Sequence, residues 1–530
     1  MWLPLEVTWG SIKRPYKYQK FVISMQSVPL RSLLLCAAGL LVLGAVFATG
    51  RWSARSAPAL LTTAVLSGAT GKLYQARQIR KHPGVRRFSR ALPQPRPYPT
   101  PMLHNESCAR WCVFTTINPP TAPVTQCASL RGWCVVVVGD KKSPPAYKVP
   151  KGAGKVVYLD PAAQRALPYR ILRLLPWNHF GRKNLGYVYA IHHGAKVILD
   201  IDDDNELLPS AKLAGGLAPR LALLTHIRGT AHNVAVPEWH APSGTAAFNP
   251  YPYFRMRADD ATPEEEARYP AWPRGFPLNG VLDPTTRPQP RANSSTSAAW
   301  PSSRQGQPQL GCIQLLADHD PDVDAIFRLS RRLPQSFGER QALLTLPAGT
   351  MAPFNAQALL VARAAFWGLL LPVSVNGRVS DIWRSYSWQR LMWNAELGLA
   401  FSSPLIKQVR NVHSYLADLN AELPLYERAG ELIALLTRLP LRTAHLPGQI
   451  EEVVITLYEY GILELADVEL TQAFLVDLIN IGYEFPPITL KPRRCRGQAS
   501  DTVVYGGLCP DPSQQGLSLK TLNIVGSGVV

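Results

Sequence analysis

The sequence has almost no acid in its first hundred residues and little excess positive charge after them. Residues 1–100 hold 15 Lys and Arg but only one acid, Glu6, so +14 of the net charge of +19 lies there. A protein that binds nucleic acid would concentrate its positive charge on a folded face. Here most of the charge flanks one apolar segment, which argues against nucleic acid as a partner.

The eight cysteines lack the spacing of a zinc site. Cys108 and Cys112 stand four apart, without a second pair or histidines nearby. Cys495 and Cys509 bracket a short loop with glycine, so we expect that they can form a disulfide in an oxidising compartment. Cys112 and Cys134 lie inside apolar runs, which favours buried thiols.

Residues 33–49 contain no charge and reach the lower end of the roughly 17–25 residues that cross a bilayer. We therefore predict a membrane anchor there. The basic residues 1–32 are expected in the cytosol by the positive-inside bias, and residues 50–107, basic and Pro-rich, as a luminal stem. A cleaved signal peptide and an organelle transit peptide remain alternatives.

Residues 108–405 alternate short apolar runs with helical patterns. Strands are predicted over 111–116, 133–138, 156–159 and 196–199, and a helix over 182–193. The alternation indicates an α/β fold with a mostly parallel sheet and helices on both faces. Ligands of such sheets bind outside the carboxyl ends of the strands, where Thr115, Asp140 and an aspartate cluster fall.

The rest of the chain shows no internal repeat. Residues 257–310, rich in Pro, Ser and Gln, predict a loop or insertion. Residues 406–490 have the Leu, Glu and Ala content and the periodicity of a separate helical region. Residues 491–530 are expected to form a tail.

The strongest local signal is the run Ile198-Leu-Asp-Ile-Asp-Asp-Asp-Asn205 at a predicted strand end. Its four carboxylates should repel one another unless a cation neutralises them. Mg²⁺ or Mn²⁺ accepts one or two such carboxylates and completes its shell with water and phosphate oxygens. We predict a metal site of Asp200, Asp202 and Asp204; a solvated acidic turn is the alternative.

Two further groups are candidates for substrate contacts. Arg182 and Lys183 open a predicted helix, where basic side chains and unpaired N–H groups can meet an anion. Asp381 starts a stretch rich in Trp and Arg and shares a helix side with Arg384 and Ser385. Asp381 would orient or deprotonate an acceptor hydroxyl. The alternatives are exposed basic residues at a helix start and core aromatics with one capping aspartate.

Several long motifs occur in one order between about residues 108 and 488. They include WCVVVVGDKKSP, RKNLGYVYAIHHGAKVILDIDDDNE, WPRGFPL, DPDVDAIFRLSRR and DIWRSYSWQRLMW. In these stretches the chain resembles the STELLO-type glycosyltransferases. The IDDD and WPRGFPL elements also resemble, more faintly, the UDP-arabinopyranose mutase (reversibly glycosylated polypeptide) group.

The resemblance implies a GT-A-like (Rossmann-like) nucleotide-diphosphosugar domain over 108–405. It implies a single-pass Golgi membrane protein with a cytosolic N-terminus and a luminal C-terminal domain. Mn²⁺ or Mg²⁺ would act with a UDP- or GDP-sugar donor. The plant members associate with cellulose synthase assembly, which makes enzymes of that type possible partners.

The resemblance also places residues in roles. Asp200, Asp202 and Asp203 occupy the family's Asp-x-Asp motif, which Asp204 extends. The residues expected near the nucleotide are Thr115, Asp140, Arg182 and Lys183. Asp381 would be the acceptor-side carboxylate and, with Asp203, a catalytic residue.

The leading hypothesis is transfer of a sugar to a hydroxyl acceptor in the Golgi lumen, with a link to cell-wall or glycoconjugate synthesis. The second is a Golgi scaffold that keeps a transferase-like fold and assists assembly of other membrane enzymes. The third is a sugar-nucleotide mutase, which would form product without an added acceptor.

Overall fold

The computed structural model describes residues 88, 92–99, 108–148, 155–209, 217–225, 246–258, 262, 270–287, 309–338, 343–410, 413–495 and 502–507. All of them belong to one compact unit, Arg77–Val530. The predicted basic tail, the membrane anchor and most of the stem lie outside the described residues, as does Cys509. Within the described ranges, no helix has the length and apolar character needed to cross a bilayer.

The strands of the described part are mostly short and buried. Along the chain they are β1 (Arg110–Thr115), β2 (Cys134–Val138), β3 (Val156–Leu159), β4 (Val197–Ile201), β5 (Asn205–Leu207), β6 (Met256–Ala258), β7 (Gln309–His319), β8 (Gln335–Phe337), β9 (Leu343–Thr345), β10 (Ala358–Ala362), β11 (Leu397–Gln408), β12 (Arg493–Cys495) and β13 (Thr502–Val504). Strands β1 to β4 fall where apolar, β-branched runs predicted them, so these four predictions are confirmed.

Strands β1 to β11 form one sheet, with the order β3-β2-β1-β4-β10-β7-β11-β5 along its main path. The pairs within β3-β2-β1-β4 are parallel, and so is β7 with β11. However, β10 runs antiparallel to both β4 and β7. The sheet is therefore mixed, which corrects the prediction of a mostly parallel one. A strand buried on both faces is an unbroken apolar run, and such a run carries no sign of direction.

Helices follow the strands and continue to the C-terminal part. They are α1 (Ala122–Ala128), α2 (Pro161–Arg165), α3 (Lys183–His192), α4 (Leu217–Thr225), α5 (Ala325–Ser330), α6 (Gly377–Asn394), α7 (Tyr415–Arg438), α8 (Leu446–Glu459) and α9 (Leu465–Asn480). Several of these helices have an N-cap side chain that accepts a backbone hydrogen bond. The Asn376 side chain accepts from the N–H of Arg378 at 2.9 Å, and Ser414 accepts from Ala417 at 3.3 Å. Such caps satisfy backbone N–H groups that the helix leaves unpaired.

Apolar side chains cover both faces of the sheet, as the sequence predicted. In β2, Cys134, Val136 and Val138 belong to one buried cluster, while Val135 and Val137 belong to another. This alternation follows from the two-residue period of a strand. Helix α3 packs on the first face and α1 on the second, so the sheet is the middle of three layers.

Helices α7 to α9 lie where a separate helical region was predicted, but they share the core of the sheet and are not separate from it. Leu432, Val453 and Phe474, one from each helix, are buried in the cluster that includes β2 and α6. Strand β11 also continues past the predicted boundary at 405, to Gln408. The helical region is thus packed onto the α/β domain by continuous apolar contact.

The described part of the predicted stem is bound to these helices. The Tyr98 hydroxyl donates to Asp477 at 2.7 Å, and the Phe88 N–H donates to Glu451 at 3.0 Å. Phe88 is 1% exposed. These contacts fix the segment that leads into the domain at α8 and α9.

Cys108 and Cys134 form a disulfide, which corrects the prediction of a buried thiol at Cys134. The register explains the pairing, since Trp111 of β1 lies beside Cys134 and brings Cys108 close to the start of β2. Cys495 is also disulfide-bonded, while its predicted partner lies outside the described residues. The described cysteines with reduced, buried thiols are Cys112, Cys127 and Cys312.

Candidate functional site

The carboxyl ends of β1, β2 and β4 lie side by side at one edge of the sheet, because these strands are parallel neighbours. Thr115 ends β1, Asp140 follows β2, and the aspartate run begins at Asp200 within β4. Strand β10 enters from this same edge, so its first residue, Ala358, pairs with Ile201. The structure thus brings the predicted residues of three strands to one edge.

Asp200 lies on the buried strand β4 with both carboxylate oxygens facing cations. Its Oδ1 is 2.7 Å from Nζ of Lys183, and its Oδ2 is 3.2 Å from Nη1 of Arg384. None of these three side chains is more than 2% exposed. A buried carboxylate without partners would be costly, and two cations offset that cost. Asp200 is therefore a neutralised carboxylate inside the domain.

Asp202 shares the same lysine but faces outward. Its Oδ1 is 2.7 Å from Nζ of Lys183, and its side chain is 31% exposed. No described residue donates a hydrogen bond to its second oxygen. Burial raises the pKa of the Asp202 carboxyl to about 7, against the lowering effect of Lys183 and with a further rise from Asp204. Burial, and to a smaller extent the neighbouring Asp204, therefore makes its ionised form less stable, and a further cation would favour that form.

Asp203 and Asp204 turn to different neighbours. Asp203 accepts hydrogen bonds from the hydroxyl of Thr116 and, at 3.0 Å, from the Asn118 amide. Asp204 accepts from the Gln408 amide at 3.1 Å. Burial raises the pKa of Asp204, while the Gln408 hydrogen bond lowers it. The repulsion expected from four adjacent carboxylates is thus reduced by protein groups that hold them apart.

Two of the residues predicted to lie near the nucleotide have partners within the protein. The Thr115 hydroxyl donates to the carbonyl oxygen of Val138 at 3.1 Å. Asp140, only 4% exposed, accepts backbone N–H bonds from Asn178 at 2.8 Å and from His179 at 3.2 Å. Asp140 therefore fixes the loop before α3, and Thr115 links β1 to β2.

Arg182, also predicted near the nucleotide, is buried just before α3. Its guanidinium lies 3.8 Å from the ring centre of Trp177, and its Nη1 donates to the carbonyl of Leu175 at 3.2 Å. A second contact joins it to the side chain of Gln164. Burial lowers the pKa of Arg182 to about 10. With Lys183 held by two aspartates, both predicted basic residues have protein partners, and their role toward a nucleotide stays a prediction.

Asp381, the predicted acceptor-side carboxylate, forms a two-pronged ion pair with Arg274. Its oxygens lie 3.0 Å from Nη1 and 2.9 Å from Nη2 of that arginine. Arg274 also binds Asp322, with its Nε 2.8 Å from Oδ1. Burial lowers the pKa of Arg274, but the two carboxylates outweigh this effect and raise it well above its usual value. The predicted catalytic role of Asp381 would therefore require Arg274 to move.

The backbone of Ala356 connects the two charged clusters. Its carbonyl oxygen accepts from Lys183 Nζ at 2.9 Å, and its N–H donates to Asp381 Oδ2 at 3.3 Å. Helix α6 adds a second connection, because it carries one member of each ion pair. Its Asp381 pairs with Arg274, and its Arg384, one turn later, pairs with Asp200. A single hydrogen-bonded network therefore runs from the aspartate run to α6.

We tested whether the residues present could hold the divalent metal that the sequence predicts. Among the described residues, no three His, Cys, Asp or Glu side chains gather closely enough to hold an ion by themselves. Asp200 is enclosed by cations, whereas Asp202 and Asp203 each keep one oxygen without a described partner. One or two carboxylates suffice for Mg²⁺ when phosphate oxygens and water complete its shell. The edge therefore fits a metal that is held jointly with a diphosphate.

Several residues of this network were not predicted from the sequence. Arg274 and Asp322 lie inside WPRGFPL and DPDVD, two motifs that carry the family resemblance but suggested no role. Asn355 is the third, and its amide donates to Asp322 at 2.8 Å. The available signals were an arginine between prolines, at Arg274, and an Asp-x-Asp pattern that includes Asp322. Neither pattern indicates which residue pairs with it.

Comparison with known proteins adds to this geometry. A family model described as STELLO glycosyltransferases matches residues 378–500, which begin in α6 and include α7 to α9. "Probable glycosyltransferase STELLO2" of Arabidopsis thaliana is 29% identical over 382 residues, 71% of this chain and 45% of that protein. "Probable glycosyltransferase STELLO1" of the same plant is 28% identical over 387 residues, 72% of this chain and 46% of that protein.

The chain thus spans less than half the length of these two relatives. The resemblance to the STELLO-type glycosyltransferases is confirmed, and the mixed α/β fold with its central sheet is consistent with it.

Proposed function

We propose, from its similarity to the STELLO-type glycosyltransferases, that this chain transfers a sugar from a nucleotide diphosphosugar to a hydroxyl acceptor. The donor would be a UDP- or GDP-sugar bound at the carboxyl edge of β1, β2 and β4, in a GT-A-like arrangement. The acceptor would approach from α6. The family model and both relatives support the general activity, while donor, acceptor and metal are parts of this proposal.

The observation that carries the proposal is the position of Asp202. It follows β4 directly, at the edge where parallel sheets bind ligands, and Lys183 fixes one of its oxygens at 2.7 Å. Its other oxygen is available, and Asp203 beside it also keeps one oxygen without a described partner. Two oriented carboxylates at such an edge suit the binding of a cation and a diphosphate together.

Asp202 and Asp203 are the residues that would hold Mn²⁺ or Mg²⁺. When bound, such an ion neutralises the negative charge that develops on a leaving diphosphate. The protein's own part is to orient these carboxylates before the donor arrives. Lys183 holds Asp202 from inside the domain, and the Thr116 hydroxyl holds Asp203 from the end of β1.

The compartment is a further part of the proposal. The Cys108–Cys134 disulfide supports an oxidising environment for the folded domain. With residues 33–49 as the membrane anchor, the domain would lie in the Golgi lumen of a single-pass protein. There it would act in cell-wall or glycoconjugate synthesis.

A thermal-shift screen of the full chain with UDP- and GDP-sugars, with Mn²⁺ or with EDTA, tests the proposal. A ligand at 100 times its Kd stabilises the folded state by about 2.7 kcal/mol, which is readily seen as a rise in melting temperature. We expect one donor to give a rise only with metal, and Asp202→Ala to abolish it. Asp283→Ala, at an Asp that caps a turn outside this hydrogen-bonded network, is the control and should keep the rise. Absence of a rise with every donor would contradict the proposal.

A non-catalytic scaffold is the second candidate, and one observation favours it. Asp381, the predicted acceptor-side carboxylate, has both oxygens engaged by Arg274 inside the domain. On this alternative the fold would bind a nucleotide sugar without turnover and would assist assembly of cellulose synthase-type membrane enzymes. Donor binding without product against a broad panel of acceptors would favour the scaffold. Product formed from donor alone would indicate a mutase instead.

A further inference from the structure

The ammonium group of Lys183 occupies the place between two carboxylates that a cation would otherwise take. Its Nζ lies 2.7 Å from Asp200 Oδ1 and 2.7 Å from Asp202 Oδ1. A third contact, at 2.9 Å, goes to the carbonyl oxygen of Ala356. The ammonium donates hydrogen bonds to Asp202 and to Ala356, and its contact with Asp200 is an ion pair. Lys183 itself is fully buried.

Two of the four carboxylates of the aspartate run are neutralised without any metal. Asp200 and Asp202 contribute two carboxylates, and Lys183 and Arg384 contribute two cations. Three of the four side chains are at most 2% exposed, so their interactions are screened less than those of surface charges. The ion pairs of Asp200 and Asp202 weaken the attraction of the run for a divalent cation. Asp203 and Asp204 accept hydrogen bonds from neutral side chains. A diphosphate beside Asp202 and Asp203 would change this charge balance by adding negative charge.

We propose that Lys183 is a built-in counter-ion of the aspartate run, and that it makes divalent-metal binding depend on the prior or simultaneous binding of a diphosphate. Lys183 is then a positioning residue. It holds Asp202 in place through an ion pair and keeps Asp200 out of the metal's shell. The inference rests on the proposed function, since it assigns the order in which the metal and the donor occupy that site.

The first test measures Mn²⁺ binding to the full chain without nucleotide, by the loss of the free-ion EPR signal. The variants are Lys183→Gln, which removes the charge and keeps a hydrogen-bond donor, and Lys183→Arg, which keeps the charge. Lys196→Gln removes an exposed lysine just before β4 and is the matched control. We expect Lys183→Gln to bind Mn²⁺ at least about tenfold more tightly than the wild type. The other two variants should bind as weakly as the wild type.

Melting temperature gives a second reading of the same variants. Loss of the ammonium leaves two buried or half-buried carboxylates with only Arg384 to neutralise them, so Lys183→Gln should melt below the wild type. Mn²⁺ should restore its melting temperature and leave that of the wild type unchanged. Unchanged Mn²⁺ affinity in Lys183→Gln would overturn the inference. So would a melting temperature of Lys183→Gln that Mn²⁺ fails to raise.

The second test uses the wild type with UDP and with GDP as probes. We expect Mn²⁺ to bind at least about tenfold more tightly with one of these nucleotides than without, beyond the affinity of the nucleotide itself for Mn²⁺. Equally tight Mn²⁺ binding with and without that nucleotide would overturn the inference. If neither nucleotide binds at all, the proposed function fails, while the Lys183→Gln titration still decides whether the lysine excludes the metal.

Discussion

The ion pair between Arg274 and two buried aspartates gives the sharpest prediction on stability. Arg274 directs four nitrogen-to-oxygen contacts of 2.8–3.0 Å at Asp322 and Asp381, and its side chain is 5% exposed. Replacing it with methionine keeps much of the volume and leaves both carboxylates inside the domain without their main cation. Breaking a buried ion pair on one side costs about 3–5 kcal/mol. We expect Arg274→Met to lose at least that much free energy of unfolding.

Urea unfolding of the full chain, followed by tryptophan fluorescence, measures this loss. The control is Arg173→Met, at an exposed arginine on the segment before α3, which should change the free energy of unfolding by less than about 0.5 kcal/mol. The double variant Arg274→Met with Asp381→Asn should recover part of the loss, because one of the two unpaired charges is removed. If Arg274→Met unfolds at the same urea concentration as Arg173→Met, the ion pairs of Arg274 do not stabilise the domain.

Two further stability predictions follow from packing and from the disulfide. A Cβ added at Gly186 of α3 would lie 2.6 Å from a methyl group of Val113, so Gly186→Ala should destabilise the fold by about 1–3 kcal/mol. A Cβ added at Gly430 of α7 would have its nearest atom at 3.9 Å. Gly430→Ala should therefore leave the stability unchanged or raise it by up to about 1 kcal/mol. Thermal melts of the two alanine variants should therefore move apart, and equal melting temperatures would contradict the packing. The Cys108–Cys134 bridge closes a 26-residue separation, so Cys108→Ser with Cys134→Ser should cost about 2–4 kcal/mol in chemical denaturation. A denaturation midpoint that stays where it is in the wild type would show that the bridge adds nothing to stability.

Strands β1 to β4 and the helix that packs on them could be predicted because each depends on a local sequence pattern. Strands β1 to β4 and helix α3 follow from apolar runs and from one helical face, and the structure has them within a few residues. The direction of β10 could not be predicted in the same way. All five of its side chains are buried, so the sequence shows no alternation and no direction.

The position of the aspartate run was predictable, whereas its ion pairs were not. Aspartates that follow a buried parallel strand lie at the ligand-binding edge of the sheet, whichever residues they pair with. The pair of Asp381 with Arg274, however, joins residues 107 apart in sequence, and that of Asp200 with Arg384 joins residues 184 apart. Such pairs depend on how α6 packs against the sheet, and no local pattern encodes this. The same holds for Cys134, whose bridge depends on the register of β1 and β2.

The proposed function depends on binding of a nucleotide diphosphate at the edge beside Asp202, which isothermal titration of the full chain measures. The titrant is the donor selected by the thermal-shift screen, with Mn²⁺ or with EDTA, into the wild type and into Asp202→Ala. We expect saturable binding by the wild type with Mn²⁺, and at least about tenfold weaker binding with EDTA or after the substitution. Equal affinity in all of these titrations would contradict the proposed function, because the donor would then bind without the carboxylate that Lys183 holds in place.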